Sequence, residues 1–125
     1  GPTRSKVELL NSTRMLIEKG YNIYSTAGTA KFFKENGIDT QILYWPDEDK
    51  EPNIMEYLHD RRIDLVINIP KNHTKRELDN GYKIRRAAVD YNIPLITNAR
   101  LASAFIYAIC KVDPSEIAIK SWDEY

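Results

Sequence analysis

The chain has 125 residues, 42% of them hydrophobic and 29% charged, which predicts one domain over residues 1–125 whose core hides roughly two thirds of the unfolded surface. Lys and Arg total 18 and Asp and Glu total 18, so the formal charge is zero and the broad attraction that nucleic acid or an anionic membrane would exploit is excluded. Cys110 is the single cysteine, no apolar run approaches the roughly 18 residues of a membrane span, and the start at Gly1-Pro2-Thr3-Arg4 has nothing of a signal peptide, so the expectation is a cytoplasmic domain without a disulfide.

In chain order, Val7 to Lys19 carries apolar residues at helical spacing (Leu9, Leu10, Met15, Leu16, Ile17), and Gly20 ends that helix. A strand is predicted at Tyr21 to Tyr24, a short helix at Ala30 to Asn36 closed by Gly37, and a second strand at Thr40 to Tyr44. A polar loop runs from Pro46 to Glu51, and Pro52 precedes a helix from Asn53 to Asp60. Asp64 to Ile69 is apolar without alternation, the pattern of a central strand covered by helices on both faces. A polar loop (Lys71 to Asn80) follows, then a helix at Tyr82 to Tyr91, a strand at Leu95 to Thr97 and a last helix from Leu101 to Cys110. Lys111 to Tyr125 mixes apolar and charged residues, as expected of a segment that ends the sheet or lies across a larger body.

Such alternation specifies an α/β fold, a doubly wound parallel sheet with helices on both faces, in which ligands sit at the carboxyl ends of the strands. A parallel fold also expects a strand before the first helix, and the chain opens without one, so the first strand is taken as missing. The richest strand end is Ser25-Thr26-Ala27-Gly28-Thr29-Ala30. Its glycine lets a ligand approach the backbone, the following helix start leaves amides unpaired, and the threonine hydroxyls donate without adding charge, which together suit a phosphate or carboxylate. Read locally, Thr29 caps the helix and Gly28 makes the turn. Arg85 and Arg86 lie about 100° apart on a helix, so one faces the body of the protein while the other faces outward; the plainer alternative leaves both exposed, balancing Asp79 and Asp90. His59 and His73 have no partner spacing that would build a metal site or a nucleophilic triad.

Taken together, Gly1-x-x-x-x-Lys6, the Thr26-Ala27-Gly28-Thr29 turn, Trp45-Pro46, Asp64 to Pro70 and Asp79-Asn80-Gly81-Tyr82-Lys83-Ile84-Arg85-Arg86 resemble a known family. It is the methylglyoxal synthase-like domain that ends the large subunit of carbamoyl phosphate synthetase and serves as its allosteric module. The resemblance covers nearly the whole chain and implies a Rossmann-like fold and an anionic small-molecule effector. In nucleotide-regulated members, binding UMP or IMP, the phosphate ligands match Lys6, Thr26, Thr29 and Asn68; a further threonine of that pattern is Pro70 here. In the form regulated by N-acetylglutamate, the site matches Thr26, Thr29, Trp45, Asn68 and Asn80, and a further asparagine falls on Lys71. Trp45 has a structural alternative, packing with Pro46 beneath the loop. Gly28, Lys6 and Lys71 complete the expected effector set, with no catalytic residue, no metal and no cofactor in the domain. The resemblance further implies a parent enzyme using ATP with Mg or Mn, and as partners the remainder of the large subunit and a glutaminase small subunit. The alternative is a free-standing lyase of the methylglyoxal synthase type, acting on dihydroxyacetone phosphate by carboxylate base catalysis. Its two aspartate motifs do not survive in Pro46 to Glu51 or in Asn68-Ile69-Pro70-Lys71, and Asp47, Glu48 and Asp49 read as a solvated acidic run.

Overall fold

A computed structural model describes residues 2–69 and 74–111. Helices and short strands alternate: α1 (Pro2–Glu18), β1 (Tyr24–Ser25), α2 (Ala27–Glu35), β2 (Gln41–Ile42), α3 (Ile54–His59), β3 (Val66–Ile67), α4 (Lys75–Asp90), β4 (Leu95–Ile96) and α5 (Ala99–Lys111). β1 pairs in parallel with β2 (Tyr24 beside Gln41, Ser25 beside Ile42), and β3 with β4 (Val66 beside Leu95, Ile67 beside Ile96). The fold is therefore α/β with parallel strands joined through helices.

The described strands form two two-stranded sheets and not one continuous sheet. No described strand joins the two pairs, so among the described residues β1 and β3 are each paired on one edge only. Each regular ladder is correspondingly short, and a cavity of about 670 Å³ runs between the pairs, lined by Tyr24 and Ser25 on one side and Val66 and Ile67 on the other.

Three apolar clusters hold the elements. Leu58, Val66, Ile84, Ala87, Ala88 and Ile93 fasten α3 and α4 to β3 and β4. Leu16, Ile106 and Cys110, with Ile23 and Ile67 packed against them, fasten α1 and α5 to both strand pairs. Because Val66 and Ile67 are consecutive and belong to different clusters, the two helix layers cover opposite faces of β3, as the unbroken apolar run requires. Leu10, Phe33 and Ile38 pin α2 to α1.

Four helices start earlier than the sequence predicts: α1 at Pro2 and not Val7, α5 at Ala99 and not Leu101, and α2 and α4 with consequences for the site. α2 begins at Ala27, with Thr26 in the cap position (φ −71°, ψ 163°), so Gly28 and Thr29 lie in its first turn and the reading of Thr29 as cap and Gly28 as turn is corrected. α4 begins at Lys75 and not at Tyr82, because Thr74 caps it, its Oγ1 accepting from Glu77 N at 3.2 Å. Asn80 and Gly81, expected to end a loop, are buried inside α4. Lys71, Pro70, His73 and the segment after Lys111 lie outside the described residues.

Candidate functional site

At the carboxyl ends of the strands the chain brings together Thr26, Thr29, Trp45, Asn68 and Asn80, all of which line the one cavity. Thr26 and Thr29 stand on the β1–α2 side. Thr26 makes no side-chain capping bond to its own helix; its hydroxyl donates weakly to that of Thr29 at 3.5 Å. Both threonines line the cavity at the start of α2, where hydroxyl groups and a helix N-terminus are the kind of donors that an anion needs.

Across the cavity, Asn68 directly follows β3, whose pairing it extends by donating its backbone N–H to Ile96 O at 2.9 Å. Its side-chain Oδ1 accepts from Arg85 Nη1 at 2.8 Å, which leaves the amide nitrogen as a donor. Asn80 is differently engaged. It is 2% exposed, its Oδ1 accepts from Asp47 N at 3.1 Å, and its Nδ2 donates to Arg76 O at 3.0 Å. Its first role is to clamp the loop after β2 onto α4.

That loop carries Trp45. The Arg76 guanidinium lies 4.7 Å from the Trp45 ring centroid and holds Asp47 by two bonds, Nε to Oδ2 at 2.7 Å and Nη2 to Oδ1 at 3.1 Å, with Glu48 Oε1 at 3.7 Å. Asn53 closes the other side by donating to Trp45 O at 2.8 Å and Glu48 O at 3.0 Å. Trp45 is half-buried under its own loop and also lines the cavity.

The hydrogen bonds from the Arg76 guanidinium hold the Asp47 carboxyl below the ordinary carboxylate range. A depressed folded-state pKa means that the latch contributes fully above the unfolded value and is lost as pH falls through the folded one. With Trp122 replaced by Phe, so that Trp45 is the only tryptophan, its emission should change as the solution is acidified below pH 3.8. Asp47→Asn should lack that change; a change that persists in this variant would place the titration elsewhere.

The remaining sequence candidates lie apart. Lys6 is exposed on α1, its Nζ 5.8 Å from the Phe32 ring centroid, and does not line the cavity. It sits within a helix and not in a first loop. Gly28 is exposed, and an added Cβ there would meet nothing within 4 Å, so the protein's own packing does not demand glycine. Sequence reading missed two wall residues. The sequence alone does not say which of Arg85 and Arg86 turns inward, and Glu77, the third residue after the Thr74 cap, puts a buried Oε2 without a hydrogen-bond partner in the lining. The Thr74-x-x-Glu77 spacing is a helix-start signal that would have placed Glu77 on α4. Among the described residues no group of three His, Cys, Asp or Glu could hold a metal ion, and no helix is long and apolar enough to cross a membrane.

Comparison with known proteins gives this arrangement a family. The multifunctional protein ura1 of Schizosaccharomyces pombe is 39% identical over 118 residues, covering 89% of this chain and 5% of that protein. The multifunctional protein CAD of Squalus acanthias is 37% identical over 123 residues (87% and 6%). The C-terminal section of the carbamoyl phosphate synthase large chain of Methanocaldococcus jannaschii is 38% identical over 121 residues (97% and 19%). The chain therefore spans only a small part of the length of these relatives. The family model described as the MGS-like domain matches residues 8–97, a stretch that contains α2, the Trp45 loop and β3 with every described wall residue named above, and the chain belongs to that family.

Proposed function

We propose that the chain is the regulatory domain of a carbamoyl phosphate synthetase and binds an anionic small molecule, a UMP- or IMP-type nucleotide or N-acetylglutamate, at the carboxyl edge of its strands. The observation that carries this reading is the pairing of the Thr26 and Thr29 hydroxyls with the Asn68 amide across one cavity. In this reading the parent enzyme makes carbamoyl phosphate from bicarbonate, glutamine and ATP. ATP with Mg or Mn, and the glutaminase small subunit, belong to the rest of that assembly. An effector that prefers one arrangement of the Trp45 loop would shift the neighbouring synthetase body by a coupling of about 1–3 kcal/mol. The exposed Leu78, Tyr82 and Val89 of α4 are apolar surface on which such a body can rest.

A second reading, a lyase acting on dihydroxyacetone phosphate, is favoured by one observation, the unpartnered Glu77 Oε2 in the cavity, which has the chemistry of a general base. Against it, Asp47 and Glu48 are held by Arg76.

A thermal-shift titration against UMP, IMP, N-acetylglutamate and dihydroxyacetone phosphate separates the two. Ligand at a hundredfold excess over its Kd should stabilise by about 2.7 kcal/mol, roughly 10 °C for a chain of this size. Thr26→Ala should erase that shift while leaving the unliganded Tm nearly unchanged, since the Thr26 side chain makes no capping bond. A shift with the triose phosphate alone, accompanied by turnover, would favour the lyase.

A further inference from the structure

We propose that Arg85 is the fixed cation of this effector site, held on the cavity wall by Asn68 in room that Gly81 leaves, and that it makes the site select anions. The inference rests on the effector-binding reading and adds the group that supplies its charge.

The two arginines of α4 part company. Arg86 runs outward to Asp90, with Nε 3.3 Å from Oδ1 and a side chain 66% exposed. Arg85 turns inward, is half-buried, lines the cavity and donates from Nη1 to Asn68 Oδ1. A guanidinium has five N–H donors, and no described carboxylate pairs with this one. A cation drawn partly out of water against a neutral amide is costly unless an anion comes to it. Arg62 also lines the cavity, but it precedes β3 at the opposite end and stacks on Tyr57, 4.0 Å from the ring centroid. Arg76 is committed to Asp47 and Lys6 stands elsewhere, so Arg85 is the described cation that faces the threonine hydroxyls' end.

Gly81 supplies an independent observation. It is buried in the interior of α4, where glycine is among the least favoured residues, and its φ is not in the left-handed region that would demand glycine. A Cβ at this position would lie 2.9 Å from Arg85 Nη1 and 3.6 Å from Asn68 Oδ1. The missing side chain is therefore the space in which the guanidinium folds back, one turn along the helix, to reach Asn68. The orphaned Glu77 Oε2 in the same lining narrows the ligand further. An anion that also carries an N–H or O–H donor, as a nucleoside monophosphate or an N-acylamino acid does, satisfies both groups, whereas a bare anion meets Glu77 as a repelling charge.

The test is calorimetric titration of the protein with UMP against uridine, and with N-acetylglutamate against its dimethyl ester, on the wild type, Arg85→Gln, Arg85→Lys, Gly81→Ala and Thr26→Ala. The wild type should prefer one of the anions to its neutral counterpart. Arg85→Gln should weaken that anion about 10- to 100-fold, the size of a charged hydrogen bond, and collapse the preference while neutral binding is unchanged. A merely structural arginine would lower both affinities together. Arg85→Lys should recover little, because a single ammonium cannot hold Asn68 and a ligand with the same fork. Gly81→Ala keeps every charge and should still lose about tenfold, which keeps the proposal exposed to disproof if Arg85→Gln does not fold. Unchanged anion preference in Arg85→Gln or Gly81→Ala, with binding lost in Thr26→Ala, overturns the role of Arg85 and leaves the effector reading standing. No binding of any probe by the wild type overturns both.

Discussion

Leu58→Ala should destabilise the protein by about 2–5 kcal/mol, the range for truncating a leucine in a core that cannot collapse around the gap. For a chain of this size that is a fall in Tm of roughly 8–20 °C. Leu58 is 0% exposed and packs with Val66, Ile84, Ala87, Ala88 and Ile93, so it joins α3 and α4 to the strand that Asn68 follows. Ala87 and Ala88 on the facing helix are already small, and β3 and β4 are held by their ladder, which leaves little to move into the space. Leu58→Met, which nearly conserves volume, should cost less than about 1.5 kcal/mol. Leu101→Ala, at a position 58% exposed on α5, should stay within about 0.5 kcal/mol. Thermal denaturation of the three variants decides the matter. A Leu58→Ala protein within about 1 kcal/mol of the wild type would mean that the α3–α4 cluster is loosely packed and does not position the site.

What the sequence made legible follows from which forces are local. The unbroken apolar run around Val66 announces burial on both faces, and consecutive residues there do fall into clusters on opposite sides of β3. The passage from β1 to α2 was legible because an apolar strand, threonine, glycine and a helix start are neighbours in the chain. The start of α4 was not, because Asn80-Gly81 has the composition of a turn; the glycine is explained only by the Arg85 guanidinium folding back beside it. That two adjacent arginines diverge is helix geometry, but which one turns inward depends on Asn68, 17 residues away. Continuity of the sheet was likewise beyond local pattern. Pairing of β1 with β2 and of β3 with β4 needs only the helix between each pair, whereas joining the two pairs needs an edge that none of the described strands supplies.

Asn53→Ala should cost about 2–4 kcal/mol and release Trp45, although residue 53 reads in the sequence as no more than the start of a helix. Its Oδ1 accepts from Met55 N at 2.9 Å and so caps α3, a bond whose loss typically costs about 1 kcal/mol. Its Nδ2 donates to the carbonyls of Trp45 and Glu48, and each of these bonds contributes about 1 kcal/mol more. Asn53→Asp separates the two functions. The carboxylate still caps the helix and is favoured at its positive end, but it turns an acceptor toward two carbonyls that need a donor. The aspartate variant should therefore keep α3 yet loosen the loop, with Trp45 more open to an aqueous quencher in a Trp122→Phe background and effector affinity lowered with it. The alanine variant should show that loosening together with a fall in Tm of roughly 8–16 °C. If Asn53→Asp matches the wild type in quenching and in binding, the two carbonyl contacts do not hold the loop, and control of the Trp45 wall passes to the latch formed by Arg76, Asp47 and Asn80.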